Sequence, residues 1–365
     1  MKNLSFGVLI IPSLNPDEKL VSVVREAVEY FSDIILVNDG SGKEYESVFR
    51  RITDKFDGIH YLKHSENKGK GYALKSAMQY FRSNPNFDGY DGVVTADGDG
   101  QHEINDIIAI DKQLGLHNEK SLIIGCRDLN SEVMPPRSKF GNKSTAFLFK
   151  TLYGIKLKDT QSGLRAFSKD IIPWLLDVDG SRFEYEMNML IKSKNTDVVL
   201  REYPISTKYE EKHKSHFRSF VDSLRVMRVL FSGIISFIIA GLVAGIADIG
   251  LFAFFNEVVM PQNGSLAINL LVATVVARVL SSIINFVFNR FITFGGKKIS
   301  SKSILKYYAL WFAQLLTSYL LVLLLSTISG GREVLIKFLV DLLLALLSYQ
   351  IQMKWVFRKK EENSD

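Results

Sequence analysis

The sequence predicts two folds in one chain: an α/β domain with a mostly parallel, doubly wound sheet over residues 1–216, and an α-helical membrane domain of four spans over residues 231–357. Three observations carry this. Hydrophobic residues make up 47% of the 365 positions, too apolar and too long for one compact soluble domain. That excess is concentrated after Phe231, in four long stretches with few charges, each near the roughly 20 residues that cross a hydrocarbon core. Before Phe231, short β-branched runs alternate with amphipathic segments and end in polar loops, the pattern of strands and helices in an open sheet.

Phe6-Gly7-Val8-Leu9-Ile10-Ile11 reads as a first buried strand; closed by Pro12, the run is too short for a signal-peptide core. After the turn Pro12-Ser13-Leu14-Asn15-Pro16, a helix is expected from about Asp17 to Phe31, with Leu20, Val23, Val24, Ala27 and Val28 on its apolar side. Strand two, Ile34 to Val37, stops at Asn38-Asp39-Gly40-Ser41. A carboxylate thus stands at the C-terminal end of a strand, the edge where open parallel sheets bind ligands; an ordinary Asp-Gly turn is the plainer reading. His60 to Lys63 is another short strand. Asn67-Lys68-Gly69-Lys70-Gly71 then opens a helix with glycines and lysines suited to an anion. The Walker spacing is absent, and the third glycine of the dinucleotide fingerprint is missing.

The centre of the domain is Val93-Val94-Thr95-Ala96-Asp97-Gly98-Asp99-Gly100-Gln101-His102. A β-branched run breaks into two carboxylates at i and i+2 among glycines, which lets both point at one hard divalent cation while a bulky anionic ligand approaches the backbone. Mg²⁺ or Mn²⁺ held this way keeps positions open for phosphate oxygens, so the loop suggests a nucleotide-diphosphate site. The alternative is a polar turn in which Asp99 caps the helix starting near His102.

Strand five, Ser121 to Gly125, ends at Cys126-Arg127, and Pro135-Pro136-Arg137 opens a helix over about residues 138–153. Its Phe140, Phe147, Leu148 and Leu152, interleaved with Lys139, Lys143 and Lys150, fit either a membrane surface or packing on its own domain. Asp159-Thr160-Gln161-Ser162-Gly163-Leu164-Arg165 is a polar loop carrying an anion-sized guanidinium; Glu202 to Ile205 forms the last strand. Lys208, Lys212, His213, Lys214 and His216 make a basic segment, a solvated charge run or a phosphate-capturing one. Residues 217–230 set Phe217, Phe220, Val221 and Leu224 on one face and arginines on others, as an amphipathic interfacial helix would.

Cys126 is the only cysteine, which excludes an internal disulfide and a thiolate zinc cluster and fits a reducing compartment. The net charge of +6 comes from Lys and Arg clustered beside apolar helices, so anionic lipid is the expected partner and nucleic acid is not. The spans are expected at about 231–255, 265–288, 304–328 and 334–357. Arg290, Lys297, Lys298 and Lys302 between the second and third, and Arg358, Lys359 and Lys360 in the tail 358–365, place both termini and the α/β domain in the cytosol. Asp248, Arg278 and Asp341 fall inside spans, where an unpaired charge costs on the order of 3 kcal/mol or more. Helix rise puts Asp248 about 12 Å and Arg278 about 20 Å from the outer ends of their spans, within reach of a long side chain. A pair is predicted, serving as structural glue or holding an anionic lipid head.

Ile11-Pro12, Val37 to Ser41, Asn67 to Gly71, Asp97 to Gln101 and Asp159 to Arg165 together resemble, in order and spacing, the family 2 glycosyltransferases of GT-A fold, specifically the dolichyl-phosphate mannose synthase-like branch. Asn285-Phe286-Val287-Phe288-Asn289-Arg290-Phe291 and Lys354-Trp355-Val356-Phe357 resemble the four-span GtrA-like domain. The resemblance implies inverting transfer of a hexose from a nucleotide-diphosphate sugar, UDP-hexose or GDP-mannose, to a polyprenyl phosphate, undecaprenyl or dolichyl, at the cytosolic face of the plasma membrane. It implies nucleotide contacts from Pro12, Asn15, Asp39, Gly69, Lys70 and Asp97, and Mg²⁺ or Mn²⁺ on Asp97, Asp99 and Gln101. Arg127 and Arg137 would bind the acceptor phosphate, helped by Arg165, Lys208 and Lys214, with Asp97, Asp99, Gln101 and Arg127 carrying catalysis. Asp159, Ser162, Glu184 and Glu186 are the sugar-contact candidates. A flippase role for the membrane half, with the soluble half as supplier, is the alternative reading. A processive polysaccharide synthase would need a Q-x-x-R-W motif, which the sequence lacks.

Overall fold

The structure is a computed structural model that describes residues 5–117, 119–129, 134, 136–194, 196–206, 221–259, 266–295, 299–329 and 333–357. The chain divides into two compact units, Met1–Leu230 and Phe231–Asp365.

The first unit runs β1 (Gly7–Ser13), α1 (Glu18–Ala27), β2 (Ile34–Asn38), α2 (Glu46–Lys55), β3 (Ile59–Lys63), α3 (Lys70–Ser83), β4 (Gly92–Thr95), α4 (Ile104–Leu116), β5 (Ser121–Arg127), α5 (Pro136–Tyr153), β6 (Arg165–Ser168), α6 (Ile172–Asp177), α7 (Glu184–Ser193) and β7 (Val199–Ile205). The strands form one seven-stranded sheet in the order β3-β2-β1-β4-β6-β5-β7. All neighbouring pairs are parallel except those of β6, which is antiparallel to both β4 and β5. Central strands covered on both faces need continuous apolar runs. Val8–Ile11, Ile34–Val37, Val93–Val94 and Leu122–Ile124 supply them, all buried. Asp17 caps α1 by accepting from the Lys19 amide at 2.9 Å, and Leu20, Val21, Val24 and Ala27 bury its inner stripe.

The crossover topology brings the C-terminal ends of β1, β2, β4 and β5 to one edge of the sheet. Because β6 runs the other way, its first residue, Arg165, pairs with Thr95 at that same edge. The loop before β6 is thereby delivered between the ends of β4 and β5. β6 has no signature in the sequence, because four residues of strand opened by an arginine carry no alternation to read.

The membrane unit contains α8 (Val221–Phe254, begun within the first unit), α9 (Leu266–Phe288), α10 (Ser301–Ser329) and α11 (Glu333–Ile351). Among the described residues, four helices are long and apolar enough to cross a membrane: Leu224–Val259, Ile268–Thr293, Ser301–Leu325 and Ile336–Val356. The interfacial segment expected at 217–230 differs in that its described part, from Val221, is the continuous start of α8; residues 217–220 and the tail 358–365 lie outside the described residues. Asp248 and Arg278 meet as predicted, at 3.5 Å, and Ser281 Oγ donates to the same carboxylate at 3.0 Å. On α11, Asp341 accepts from Ser318 Oγ of α10 at 2.6 Å and pairs with Lys337 at 2.8 Å.

The unit also repeats itself. α9 and α11 both close in a wider, π-helical turn, Asn289–Thr293 and Gln352–Val356, sealed by the Phe294 and Phe357 amides donating to the Asn289 and Gln352 carbonyls at 2.9 and 2.8 Å. At one constant offset Arg278, Asn285, Asn289 and Phe294 recur as Asp341, Ser348, Gln352 and Phe357. In each copy the later amide side chain donates back one turn, Asn289 to Asn285 and Gln352 to Ser348. The two turns abut through stacked Phe294 and Phe357 rings, 5.2 Å apart.

Candidate active site

Polar side chains gather at the edge where the parallel strands end. Asp39, one residue past β2, is 4% exposed. Its Oδ2 accepts from the Gly69 amide at 2.7 Å and its Oδ1 from the Lys68 amide at 3.1 Å, while His64 presents Nδ1 to Oδ1 at 2.8 Å. Three of about four carboxylate lone pairs are thus used, leaving one on Oδ2. Gly69 reaches Asp39 with φ +100°, a backbone state open to glycine and few others, and from there starts α3. Asn15, itself at φ 48°, accepts from the Gly42 amide at 3.2 Å, and its own amide donates to Ser41 Oγ at 2.9 Å. The β1 and β2 loops are thereby tied side by side, with Pro12 paired to Val37 just beneath.

One strand further along, Asp97 follows β4. Lys70, in the first turn of α3, places its Nζ 2.8 Å from Asp97 Oδ1 and 3.1 Å from Glu186 Oε1 of α7. Burial alone would raise the Asp97 carboxyl and lower the Lys70 ammonium. The pairing with Lys70, supported by His102 at 3.7 Å from Oδ2, instead holds Asp97 well below the usual carboxylate range, and the two carboxylates hold Lys70 well above its own. Both are ionised across the physiological range. Gly163 packs against this pair: a Cβ there would stand 2.4 Å from Asp97 Oδ2 and 2.7 Å from Lys70 Nζ. Asp99 Oδ1 accepts from the Gln101 amide at 3.1 Å, which turns the loop so that Asp97, Asp99 and Gln101 belong to one short bend. Two carboxylates and a carboxamide are hard oxygen donors of the kind Mg²⁺ and Mn²⁺ prefer. Asp97 is ionised and its side chain is 32% exposed. The residues therefore fit a divalent cation. Among the described residues there is no group of three or more His, Cys, Asp and Glu side chains that could hold a metal by themselves, so such a cation would need ligand oxygens to complete its shell.

On the other side of the inserted β6, Arg127 ends β5. Its Nε and Nη2 donate to Asp159 Oδ2 and Oδ1 at 2.6 and 3.1 Å, a bidentate pair. Arg127 also borders a cavity of about 590 Å³, lined by the basic residues Lys143, Lys150 and Lys158 and by apolar Leu129, Phe147 and Ile205 among others. Phe140 and Phe147 of α5 are exposed while Phe149 and Leu152 are buried. The helix thus packs on its own domain with one side and offers phenylalanines outward with another. Cys126 lies at the cavity too, but burial and the neighbouring Glu202 push its thiol up to about 12, which removes it as a nucleophile.

Several expected site residues stand elsewhere. Arg165 is 1% exposed, and its guanidinium donates to the carbonyls of Ser162, Glu186 and Thr160 at 2.9, 2.9 and 3.3 Å. A phosphate does not reach it; it knits the preceding loop to α7. Glu184 Oε1 accepts from the Ser181 and Arg182 amides at 3.0 and 3.1 Å, closing the N-terminus of α7. Ser162 is buried with an unpartnered Oγ. The Arg137 side chain, Lys208 and Lys214 lie outside what the structure describes. The motifs in the sequence do not single out Gly163, which stands against the Asp97–Lys70 pair, or Lys143, Lys150 and Lys158, which line the cavity. The i, i+7 spacing of Lys143 and Lys150 was a usable signal, whereas nothing local marks a glycine as a close-approach point.

Comparison with known proteins gives these features a context. The description Glycosyl transferase family 2 matches residues 8–173, and GtrA/DPMS, transmembrane domain, matches residues 236–357. A UDP-N-acetylglucosamine–dolichyl-phosphate N-acetylglucosaminyltransferase of Methanococcus voltae is 30% identical over 224 residues, covering 56% of this chain and 86% of that protein. The chain belongs to glycosyl transferase family 2. This glycosyltransferase is also 24% identical to a dolichyl-phosphate beta-glucosyltransferase of Trichomonas vaginalis, over 55% of this chain and 65% of that protein. Among solved structures, glucosyl-3-phosphoglycerate synthase from Mycobacterium tuberculosis in complex with Mn²⁺, UDP and phosphoglyceric acid aligns with a TM-score of 0.46 at 16% identity, covering 63% of this chain and 78% of that one. A mannosyltransferase from Pyrobaculum calidifontis in complex with GDP-Man and Mn²⁺ gives 0.38 at 12%, covering 96% and 87%. The glycosyltransferase joins its family 2 domain to a GtrA-like transmembrane domain, and with four membrane-capable helices among its described residues it is an integral membrane protein.

Proposed function

We propose that this glycosyltransferase moves a hexose from a nucleotide-diphosphate sugar to a polyprenyl phosphate, with inversion, at the cytosolic face of the plasma membrane. The observation that supports it is the two-sided edge: ionised Asp97 at the end of β4 and Arg127 with a basic, part-apolar cavity at the end of β5, with only the loop before β6 between them. A lipid-linked phosphate needs cations for its head and apolar wall for its first isoprene units, and this cavity has both. The name of one relative, the Methanococcus voltae enzyme, favours a UDP sugar as donor.

In this reading the free lone pair of Asp39 accepts from the base, and Gly69 and Lys68 hold that carboxylate in place through their amides. A divalent cation on Asp97, Asp99 and Gln101 would neutralise charge on the departing diphosphate. Lys70 shares that field as a fixed positive charge. The acceptor phosphate is held by Arg127 and the cavity lysines; its second pKa is about 6, so its oxygen is already a nucleophile near neutral pH. That oxygen attacks the anomeric carbon from the face opposite the diphosphate, the carbon–oxygen bond to the diphosphate breaks, and its electron pair leaves with the nucleotide. No proton moves, so no general base is assigned.

The test is purified protein with undecaprenyl phosphate, Mn²⁺ and a panel of UDP-N-acetylglucosamine, UDP-glucose and GDP-mannose, with lipid product read by mass. A lipid-linked monosaccharide phosphate from one donor is expected; failure with every donor would end the proposal. The recurrence of one closing turn at the ends of α9 and α11 favours a second activity, since transporters are commonly built from internal repeats. Vesicles in which labelled product appears in the far leaflet only when the protein is present would establish it.

A further inference from the structure

Asp159 is completely buried, and every lone pair of its carboxylate is accounted for inside the protein. Oδ2 accepts from Arg127 Nε at 2.6 Å and from the Arg127 amide at 3.4 Å; Oδ1 accepts from Arg127 Nη2 at 3.1 Å and from the Gln161 amide at 2.9 Å. A carboxylate offers about four such sites. None is left for a sugar hydroxyl, and none for a proton in transit. Burial alone would push its carboxyl up, yet the Arg127 hydrogen bonds hold it below the usual carboxylate range, so it is a weak base as well as an inaccessible one.

The loop that carries Asp159 is fastened at both ends. Glu202 of β7 accepts from the Lys158 amide at 2.6 Å and the Asp159 amide at 3.4 Å. Thr95 Oγ1 of β4 donates to the Gly163 carbonyl at 3.0 Å, and buried Arg165 grips the Ser162 and Thr160 carbonyls. Its far end, Gly163, abuts the Asp97–Lys70 pair, and its near end holds the arginine that lines the cavity. Four fully extended residue steps reach at most about 14 Å, so one short, clamped segment touches both halves of the site.

We infer that Asp159 is a positioning residue that fixes the Arg127 guanidinium against the acceptor phosphate, and that the loop from Asp159 to Gly163 sets the spacing between that phosphate and Asp97. This rests on the acceptor-site reading of the cavity. It reassigns Asp159 from the sugar contact that sequence motifs imply. Transfer by direct attack depends on the separation of the reacting atoms, and a misplacement near 1 Å costs on the order of 100-fold, so a rigid spacer is where such a site would invest its buried charges.

The experiment uses the full chain in detergent or nanodiscs with undecaprenyl phosphate and whichever UDP sugar turns over. Arg127→Ala and Asp159→Asn are each expected to raise the acceptor KM by roughly 10- to 100-fold, with donor KM and Mn²⁺–UDP binding by calorimetry unchanged. The double variant is expected to lose no more than Arg127→Ala alone, and the pH profile of kcat in Asp159→Asn should keep its wild-type shape. A double variant that loses the product of the two single effects overturns the inference, as does an Asp159→Asn enzyme whose acidic limb disappears, the mark of a general base. Should Asp159→Asn fail to fold, Arg127→Lys keeps both charges but cannot bridge both Asp159 oxygens; a wild-type acceptor KM there overturns the inference equally. Arg127→Ala with a normal acceptor KM would instead sink the acceptor-site reading itself.

Discussion

Replacing Gly163 with alanine probes how tightly the site is set. The added Cβ would lie 2.4 Å from Asp97 Oδ2, 3.0 Å from Asp97 Cγ and 2.7 Å from Lys70 Nζ. Ordinary contact begins near 3.4 Å, so the carboxylate must retreat by about 1 Å, a displacement that costs on the order of 100-fold in rate, or about 2.7 kcal/mol of transition-state stabilisation. The loop has little freedom to yield instead, because Thr95 and Arg165 fasten it from opposite sides. Lys70 can swing toward Glu186, already 3.1 Å away, and the whole unit should lose only the roughly 1–3 kcal/mol typical of overpacking. Steady-state transfer with Mn²⁺ titrated, beside a melting curve, separates these effects. A kcat reduced about 100-fold with a weaker Mn²⁺ dependence and a folded protein is the expected result. Wild-type turnover at wild-type Mn²⁺ would show that Asp97 tolerates movement and that the close approach of Gly163 is incidental.

Asp99→Ala should abolish turnover in a protein that still melts as a folded unit; undiminished turnover would remove the metal assignment. Asp111, buried in α4, accepts from the Phe6 and Gly7 amides and Tyr30 Oη, and burial pushes its carboxyl up to about 6 against those donors. Between about pH 4 and 6 the folded chain keeps a proton the unfolded chain has released, so this group's contribution to stability, up to about 3 kcal/mol, falls as pH rises. Asp111→Asn should flatten that slope in melting curves taken across the window, and an unchanged slope would refute the assignment. In the membrane unit, Asp248→Ala strips the counter-charge from Arg278 and should cost about 2.5–3.5 kcal/mol in unfolding from detergent. The swapped pair Asp248→Arg with Arg278→Asp should recover part of it, and no recovery would argue that the pair does not hold the helices.

The two-part architecture is legible in the amino-acid order, because strand burial, helix amphipathicity and membrane length are all written in local hydrophobic period. The positions of Asp39, Asp97 and Arg127 at the C-terminal ends of strands were also legible, since polar residues that interrupt buried runs are visible without coordinates. Even the Asp248–Arg278 pair could be anticipated, as two isolated charges in lipid have few other partners. Only the folded chain shows which of the remaining polar residues are buried and bonded inside the protein. Arg165 and Asp159 look as reactive on paper as Arg127, yet the antiparallel insertion of β6 carries both inward, where one grips carbonyls and the other grips Arg127. Gly163 carries no chemistry in sequence and gains its importance only by standing against Asp97. The recurrence of Asn289 and Phe294 as Gln352 and Phe357 became readable once the same turn was seen to close both helices. Burial and pairing depend on which strands become neighbours, a long-range outcome of packing that local residue type does not encode.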